Sequence, residues 1–301
     1  MGSAFRRTVH DNRIDLTGPA RYDFACRMKR VIVLALVASG LVPVEVSTQK
    51  SRGSVKKAPT TQAPAAKAAA PKGVERPVPF KIGETLTYDV SWSSYVTAGT
   101  AVMTVMEKKP SFNSLAYYIV AEGRPTPLVG KLYSLYYKLD TLLDSYTLLP
   151  QRGSVYSEEG SRHRFKVTQF DHKAHTAFFE YKAGTTATDT FAVPPYVQDA
   201  LSAVYVLRAV PLKAGDRITM PVSDDGSNYK VQVDAGPSER VKTPFGETGA
   251  SRLKLSVFDA AGKAQGRNVA LWFSDDVRRL PVKMQAELPV GTFNLNLREA
   301  R

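Results

Sequence analysis

The chain has 301 residues, 43% of them hydrophobic and 23% charged, the proportions of an ordinary globular protein. Its net charge of +13 is unevenly placed: residues 1–79 hold 14 Lys/Arg against 5 Asp/Glu, leaving 27 against 23, a balance of +4, for residues 80–301. So even a balance excludes a basic face for nucleic acid in the C-terminal region. The single cysteine, Cys26, excludes a disulfide or a Cys-based zinc or iron–sulfur site from residues 80–301.

Residues 1–27 mix charges of both signs around Gly18-Pro19 and fit no export pattern, so they are expected to be a misplaced start or a disordered extension, with translation beginning at Met28. Met28-Lys29-Arg30 and the apolar run from Val31 to Val42 have the anatomy of a secretory signal peptide over residues 28–42, with Ala38, Ser39 and Gly40 offering cleavage sites. As a helix the run spans about 18 Å, well short of the ~30 Å hydrocarbon core, so no permanent membrane span is expected after cleavage. Residues 43–79 turn to Ala, Pro, Lys, Thr and Ser without aromatics or periodicity and read as a disordered spacer. The location implied is the periplasm or another exported position in the cell envelope.

Phe80 opens a single β-rich domain running to residue 301. From Glu84 to Trp92 the chain alternates, with Leu86, Tyr88, Val90 and Trp92 on one side, the period of a half-buried strand. Similar patterns predict strands over Thr100–Glu107, Leu115–Glu122, Ser161–Phe170, Ala174–Lys182, Asp216–Val222, Tyr229–Val233, Ala250–Phe258, Asn268–Phe273, Val282–Leu288 and Thr292–Leu297. Turn signals at Asp171-His172-Lys173, Asp224 to Asn228, Ala260 to Lys263 and Val290-Gly291 separate several of them. Two segments break the pattern. A short helix over about 127–136 is expected to become a strand near Tyr137. The main helix, about 197–210, carries Val197, Leu201, Val204, Tyr205 and Arg208 at three- and four-residue spacing between Pro194-Pro195 and Pro211. The fold class is therefore mainly β, an antiparallel β-barrel or a curled β-sheet near one main helix.

Phe80-x-x-Gly83-Glu84-x-Leu86-x-Tyr88 with Trp92, Leu149-Pro150, Phe170-Asp171, and Asp199, Leu201, Tyr205 and Arg208 on the helix form an ordered series. It continues with Gly215, Trp272-Phe273-Ser274-Asp275-Asp276, Arg279-Leu280-Pro281 and Gly291. In this order and spacing the domain resembles a family of bacterial exported proteins, the domain of unknown function numbered 3108. The resemblance implies an exported β-rich protein and supplies no activity, ligand or catalytic residue.

The residues themselves carry no catalytic constellation. His163, His172 and His175 are near in sequence, but the last two flank a turn and project apart, among Arg162, Arg164, Lys166 and Lys173 that would repel a cation. Ser251-x-x-Lys254 matches the spacing of penicillin-interacting enzymes but falls within a predicted strand, where residues three apart face opposite sides. Asp275-Asp276 and Asp224-Asp225 sit at turn positions, where Asp bonds nearby backbone, and Arg278-Arg279 suggests an ion-paired turn for the first. No cofactor and no metal is expected.

Aromatic density is the remaining feature: Tyr117-Tyr118, Tyr133, Tyr136-Tyr137, Phe178-Phe179 and Tyr181. Adjacent aromatics on a strand point to both faces, so they line either a two-sided core or an apolar groove rimmed by Tyr hydroxyls. The expected function is a non-enzymatic module binding a lipid-like, apolar or amphipathic ligand, or an envelope partner. The candidate ligand-binding residues are Tyr133, Tyr136, Tyr137, Phe179 and Trp272. An envelope hydrolase assembled from distant residues and a structural assembly factor are the alternatives. A pocket holding a His and a carboxylate would mark the former, and the absence of a pocket together with an exposed edge strand the latter.

Overall fold

Strand alternation sets the architecture. The computed structural model describes residues 73–93, 96–132, 134–288 and 291–301. The segments expected as N-terminal extension and signal peptide lie outside the described residues, as does the spacer up to residue 72. The first half of the sheet is β1 (Thr85–Trp92), β2 (Val96–Ser111), β3 (Ser114–Pro125), β4 (Leu135–Asp144), β5 (Pro150–Glu159), β6 (Arg162–Asp171), β7 (Thr176–Ala183) and β8 (Thr185–Ala192). The second half is β9 (Arg217–Asp224), β10 (Ser227–Thr243), β11 (Gly246–Phe258), β12 (Ala264–Ser274), β13 (Pro281–Leu288) and β14 (Gly291–Ala300). Among the described residues these strands make one 14-stranded antiparallel sheet in the order β8-β7-β6-β5-β4-β3-β2-β1-β14-β13-β12-β11-β10-β9. Each half is a meander of hairpins, and the pairing of β1 with β14 joins them, Val90 opposite Leu295 and Trp92 opposite Phe293. The sheet curls but does not close, leaving β8 and β9 as its edges. Of the two expected architectures, the structure is the curled sheet.

Bulges bend it. Register shifts fall between Val105 and Glu107 on β2, Leu142 and Leu143 on β4, and Ala235 and Ser238 on β10. An extra residue on one strand of a pair bends and twists that strand. The wrapped face buries Leu86, Tyr88, Met103, Ile119, Leu143, Val233, Leu253, Phe273, Met284 and Leu297.

Two helices lie in the connections, α1 (Pro127–Leu132) and α2 (Ala200–Ala209). The short helix is thus four residues shorter than expected, and strand geometry resumes at Leu135. Helix α2 starts three residues later than its apolar spacing predicts. Gln198 is held instead by sheet-like bonds, its N–H to Pro221 O (2.9 Å) and its C=O from Ser223 N–H (2.8 Å). Asp199 is the N-cap: its carboxylate accepts Ser202 N–H at 2.8 Å, while Ser202 Oγ accepts the Asp199 N–H at 2.9 Å, a reciprocal capping box. The helix then buries Leu201, Val204, Tyr205, Leu207 and Arg208 inside the curl.

Its last turn carries the central polar contact. Arg208, with no exposed side-chain surface, binds Glu84 through Nη1 (2.6 Å) and Nη2 (2.9 Å) and donates to the carbonyls of Arg278 (3.0 Å) and Arg279 (3.1 Å). Arg279 answers by donating to Arg208 O at 2.7 Å, placing a cation at the carbonyl end of the helix. The chain is described from Gly73, and part of the stretch read as spacer packs on the domain. Arg76 N–H bonds Ser145 O (2.9 Å), Glu75 pairs with Lys108 (2.6 Å), and Val78 touches the core.

Strands β5 and β8 were not among the expected elements. The inward positions of β5 are Gly153, Val155, Ser157 and Glu159, which show no apolar alternation. Strand β8 is exposed on both faces from Thr185 to Thr190, so nothing imposes a period of two.

Candidate functional site

Small residues open a cleft at one end of the curl. Gly99 and Ala101 on β2 and Ala121 and Gly123 on β3 stand where neighbouring positions carry large side chains. Val90, Met103, Leu135, Leu139, Met284, Phe293 and Leu295 supply the bulky apolar lining. The space between has a volume of about 80 Å³, and its wall is almost wholly apolar. Gly99 is required: a Cβ there would stand 2.4 Å from Arg124 O. Ala98, Thr100 and Pro125 line it too, and α1, which follows Pro125, leaves Leu128 exposed.

Glu122, Arg124 and Tyr137 also line the cleft. Tyr137, buried on β4, donates its hydroxyl to Glu159 Oε1 at 2.5 Å. The carboxylate of Glu159 is itself buried, and its Oε2 faces Arg164 Nη1 at 3.4 Å. Across the neighbouring strands β4, β5 and β6, register sets Tyr137 opposite Ser157 and Ser157 opposite Arg164, and Glu159, two residues on from Ser157, reaches both on the diagonal. The site therefore offers an apolar cleft with Tyr137 in its wall, the hydroxyl of which is already given to Glu159.

Of the sequence-nominated residues that are described, the structure brings Tyr137 to this cleft and places three elsewhere. Tyr136 faces the other side of β4, where Arg124 lies over its ring (4.5 Å) and Tyr156 meets it edge-on (6.1 Å). Phe179 on β7 lines a separate cavity of about 30 Å³ together with Leu139, Lys166, Thr168 and Asp199. Trp272 is buried on β12, bonded through Nε1 to Glu239 and flanked by the cations of Arg252 (5.1 Å) and Lys283 (4.8 Å). Tyr133 lies outside the described residues. The small-residue pairs Gly99-x-Ala101 and Ala121-x-Gly123 were missed. Their signal is a strand period whose inward positions lack bulk.

Asp199 is the buried titratable group beside the second cavity. Burial pushes its carboxyl up to about 6, against the opposing pull of the Ser202 N–H and the Thr141 hydroxyl, which donates to Oδ2 at 2.5 Å. Gly153 leaves room for it, since a Cβ there would stand 3.1 Å from Oδ2.

A third, wide-open concavity of about 600 Å³ holds both a histidine and a carboxylate, His172 and Asp144. Both are engaged in structural bonds. His172 Nε2 bonds Pro150 O (2.7 Å) and its ring stacks on Phe170, while Asp144 accepts from the backbone of Tyr146 and Thr147 and from Gln151 Nε2. His163 and His172 stand at opposite ends of β6, about 30 Å apart at strand spacing. Among the described residues no group of three or more His, Cys, Asp or Glu is placed to hold a metal ion. Ser251 lies on β11 and donates to Asp275 (2.9 Å), and Asp276 pairs with Arg278 (3.1 Å), an ion-paired turn as expected. No helix among the described residues is long and apolar enough to cross a membrane.

No curated protein matches the chain. Among solved structures, it is similar to a β-barrel-like protein of a domain of unknown function, DUF1849, from Brucella abortus. The two are 10% identical with a TM-score of 0.47, over 73% of this chain and 97% of that one. A Bacteroides fragilis protein described as exported, with a YmcC-like fold, is 12% identical at a TM-score of 0.31, over 76% and 100%. A protein from Parabacteroides distasonis described as a lipoprotein is 10% identical at a TM-score of 0.32, also over 76% and 100%. The family model called "Protein of unknown function (DUF3108)" matches residues 87–298, the stretch from β1 into β14, and the chain belongs to that family.

Proposed function

We propose that the chain is an exported cell-envelope protein whose β domain binds an apolar or amphipathic ligand in the cleft between β1–β4 and β13–β14. Export is supported by the signal-peptide anatomy of residues 28–42. The observation that carries the binding reading is the combination of a bulky apolar lining with four small residues, leaving an apolar space in the core. Close packing is the rule in protein interiors, so an apolar gap of this kind is where an apolar guest gains most. About 80 Å³ is smaller than the ~150 Å³ cavity that admits benzene. The cleft thus seats the end of an alkyl chain, and Met103 and Met284, unbranched and adaptable, can repack around more of it.

Titration with the environment-sensitive probe N-phenyl-1-naphthylamine tests this. The chain should enhance its fluorescence saturably, and Ala121→Leu, which fills the cleft, should weaken binding by about tenfold or more, the equivalent of ~1.4 kcal/mol. Binding by Ala121→Leu equal to wild type would place the probe elsewhere.

A further inference from the structure

The two edges of the sheet are treated differently. Edge β9 is bridged at one point by its own chain, where Gln198 forms a parallel bridge with Val222 and exchanges backbone bonds with Pro221 and Ser223. Edge β8 (Thr185–Ala192) has no strand beside it among the described residues. Val193 N–H bonds His175 O at 2.9 Å, and β8 continues that register, Ala177 opposite Phe191 and Phe179 opposite Asp189. In an antiparallel ladder the bonded pairs alternate, so residues 187, 189 and 191 bond inward to β7. Thr186, Thr188, Thr190 and Ala192 therefore turn their backbone groups outward. Ala192 O is taken by Asn228 Nδ2 (2.8 Å), and Thr190 N–H by the carboxylate of Asp189 (2.8 Å). What stays open is a β-branched stretch with no proline, lysine or bulge, the devices that usually guard an edge.

We infer that β8 is a self-pairing edge, through which two copies of the chain join antiparallel about a two-fold axis at Thr188. Outward-facing residues can form bonded pairs only with outward-facing residues. Centred on Thr188, that condition sets Thr186 against Thr190, Thr188 against Thr188, and Thr190 against Thr186 of the second copy. Each of these threonines then meets a threonine, a favourable cross-strand pair. In the same register Asp189 faces Ala187, so the strand's one charge meets no like charge. Moving the axis to Asp189 would oppose two carboxylates, which is destabilising. The self-complementary pattern fits a second copy of this strand and an isologous dimer. Asp189 acts as the guard, since its hold on Thr190 N–H must be released before pairing completes.

Sedimentation velocity of the exported chain over a range of concentrations tests the inference. Wild type should show a monomer–dimer equilibrium. Thr188→Pro removes an N–H that faces away from β7, so the fold should persist by circular dichroism while the dimer is lost. Thr188→Lys sets two cations opposite each other across the axis and should do the same with no backbone change. Asp189→Ala should strengthen the dimer. A chain monomeric at every concentration, or a dimer unmoved by Thr188→Pro and Thr188→Lys, would overturn the inference.

Discussion

Arg208→Ala is expected to destabilise the domain by about 3–5 kcal/mol, the cost of removing one partner from a buried charge pair. The guanidinium occupies the centre of the curl, bidentate on Glu84 and bonded to two carbonyls of the β12–β13 connection. It also lies over the rings of Phe80 (5.5 Å) and Tyr205 (5.2 Å). It thus ties the start of β1, the end of α2 and the turn before β13, segments far apart in sequence. Without it, the Glu84 carboxylate is left in an apolar surrounding beside the buried hydroxyls of Tyr88 and Tyr205, and the carbonyls of Arg278 and Arg279 lose their donor. Glu84→Ala should cost a similar amount, by stranding the cation instead. Replacing both, as Glu84→Leu with Arg208→Met, should be milder than either single change, because a buried pair exchanged for apolar groups leaves no uncompensated charge. Chemical denaturation of the four proteins measures this. Single-variant losses under ~1 kcal/mol, the range of an exposed pair, would contradict the central role.

The second large effect depends on pH. Asp199 has its carboxyl raised from 3.8 to about 6 by burial, so the folded state binds the proton more tightly than the unfolded chain does. Below pH 4 both states are protonated and above pH 6 both are ionised. Between them stability falls as pH rises, because ionisation now takes place in a buried site. The shift, 6 − 3.8 or about 2 pH units, corresponds to roughly 3 kcal/mol. Asparagine caps a helix as well as aspartate and carries no charge. The stability difference between Asp199→Asn and wild type should therefore move by roughly 3 kcal/mol in favour of the variant between pH 4 and pH 7. Other titrating groups cancel in that difference. Asp199→Ala should lose the cap at both pH values, about 1 kcal/mol. A difference between Asp199→Asn and wild type that stays constant with pH would show that the carboxyl titrates normally.

Much of this fold is legible in the alternation. Leu86, Tyr88 and Val90 declare the inward face of β1, and the spacing of Leu201, Val204, Tyr205 and Arg208 declares α2. The order of features also identified the family. What escapes is structure without a hydrophobic period. Strand β5 turns Gly153, Ser157 and Glu159 inward, because Asp199 and Tyr137 need room and hydrogen bonds there. Strand β8 has no buried face to impose a period. The first turn expected of α2 gave way to sheet-like bonding at Gln198, a tertiary contact that local spacing does not encode. The cleft was hidden for a related reason. Bulky aromatics draw attention, but the adjacent pair Tyr136-Tyr137 is split between two faces, and one member reaches the cleft. Gly99, Ala101, Ala121 and Gly123 define it by what they lack.

Native mass spectrometry of the chain, purified from a bacterial periplasm without detergent, tests most directly whether the cleft holds a ligand. The account predicts a reproducible lipid-sized adduct on the wild-type protein that disappears in Ala121→Leu. A clean ligand-free mass for wild type, or an adduct that persists unchanged in Ala121→Leu, would contradict it.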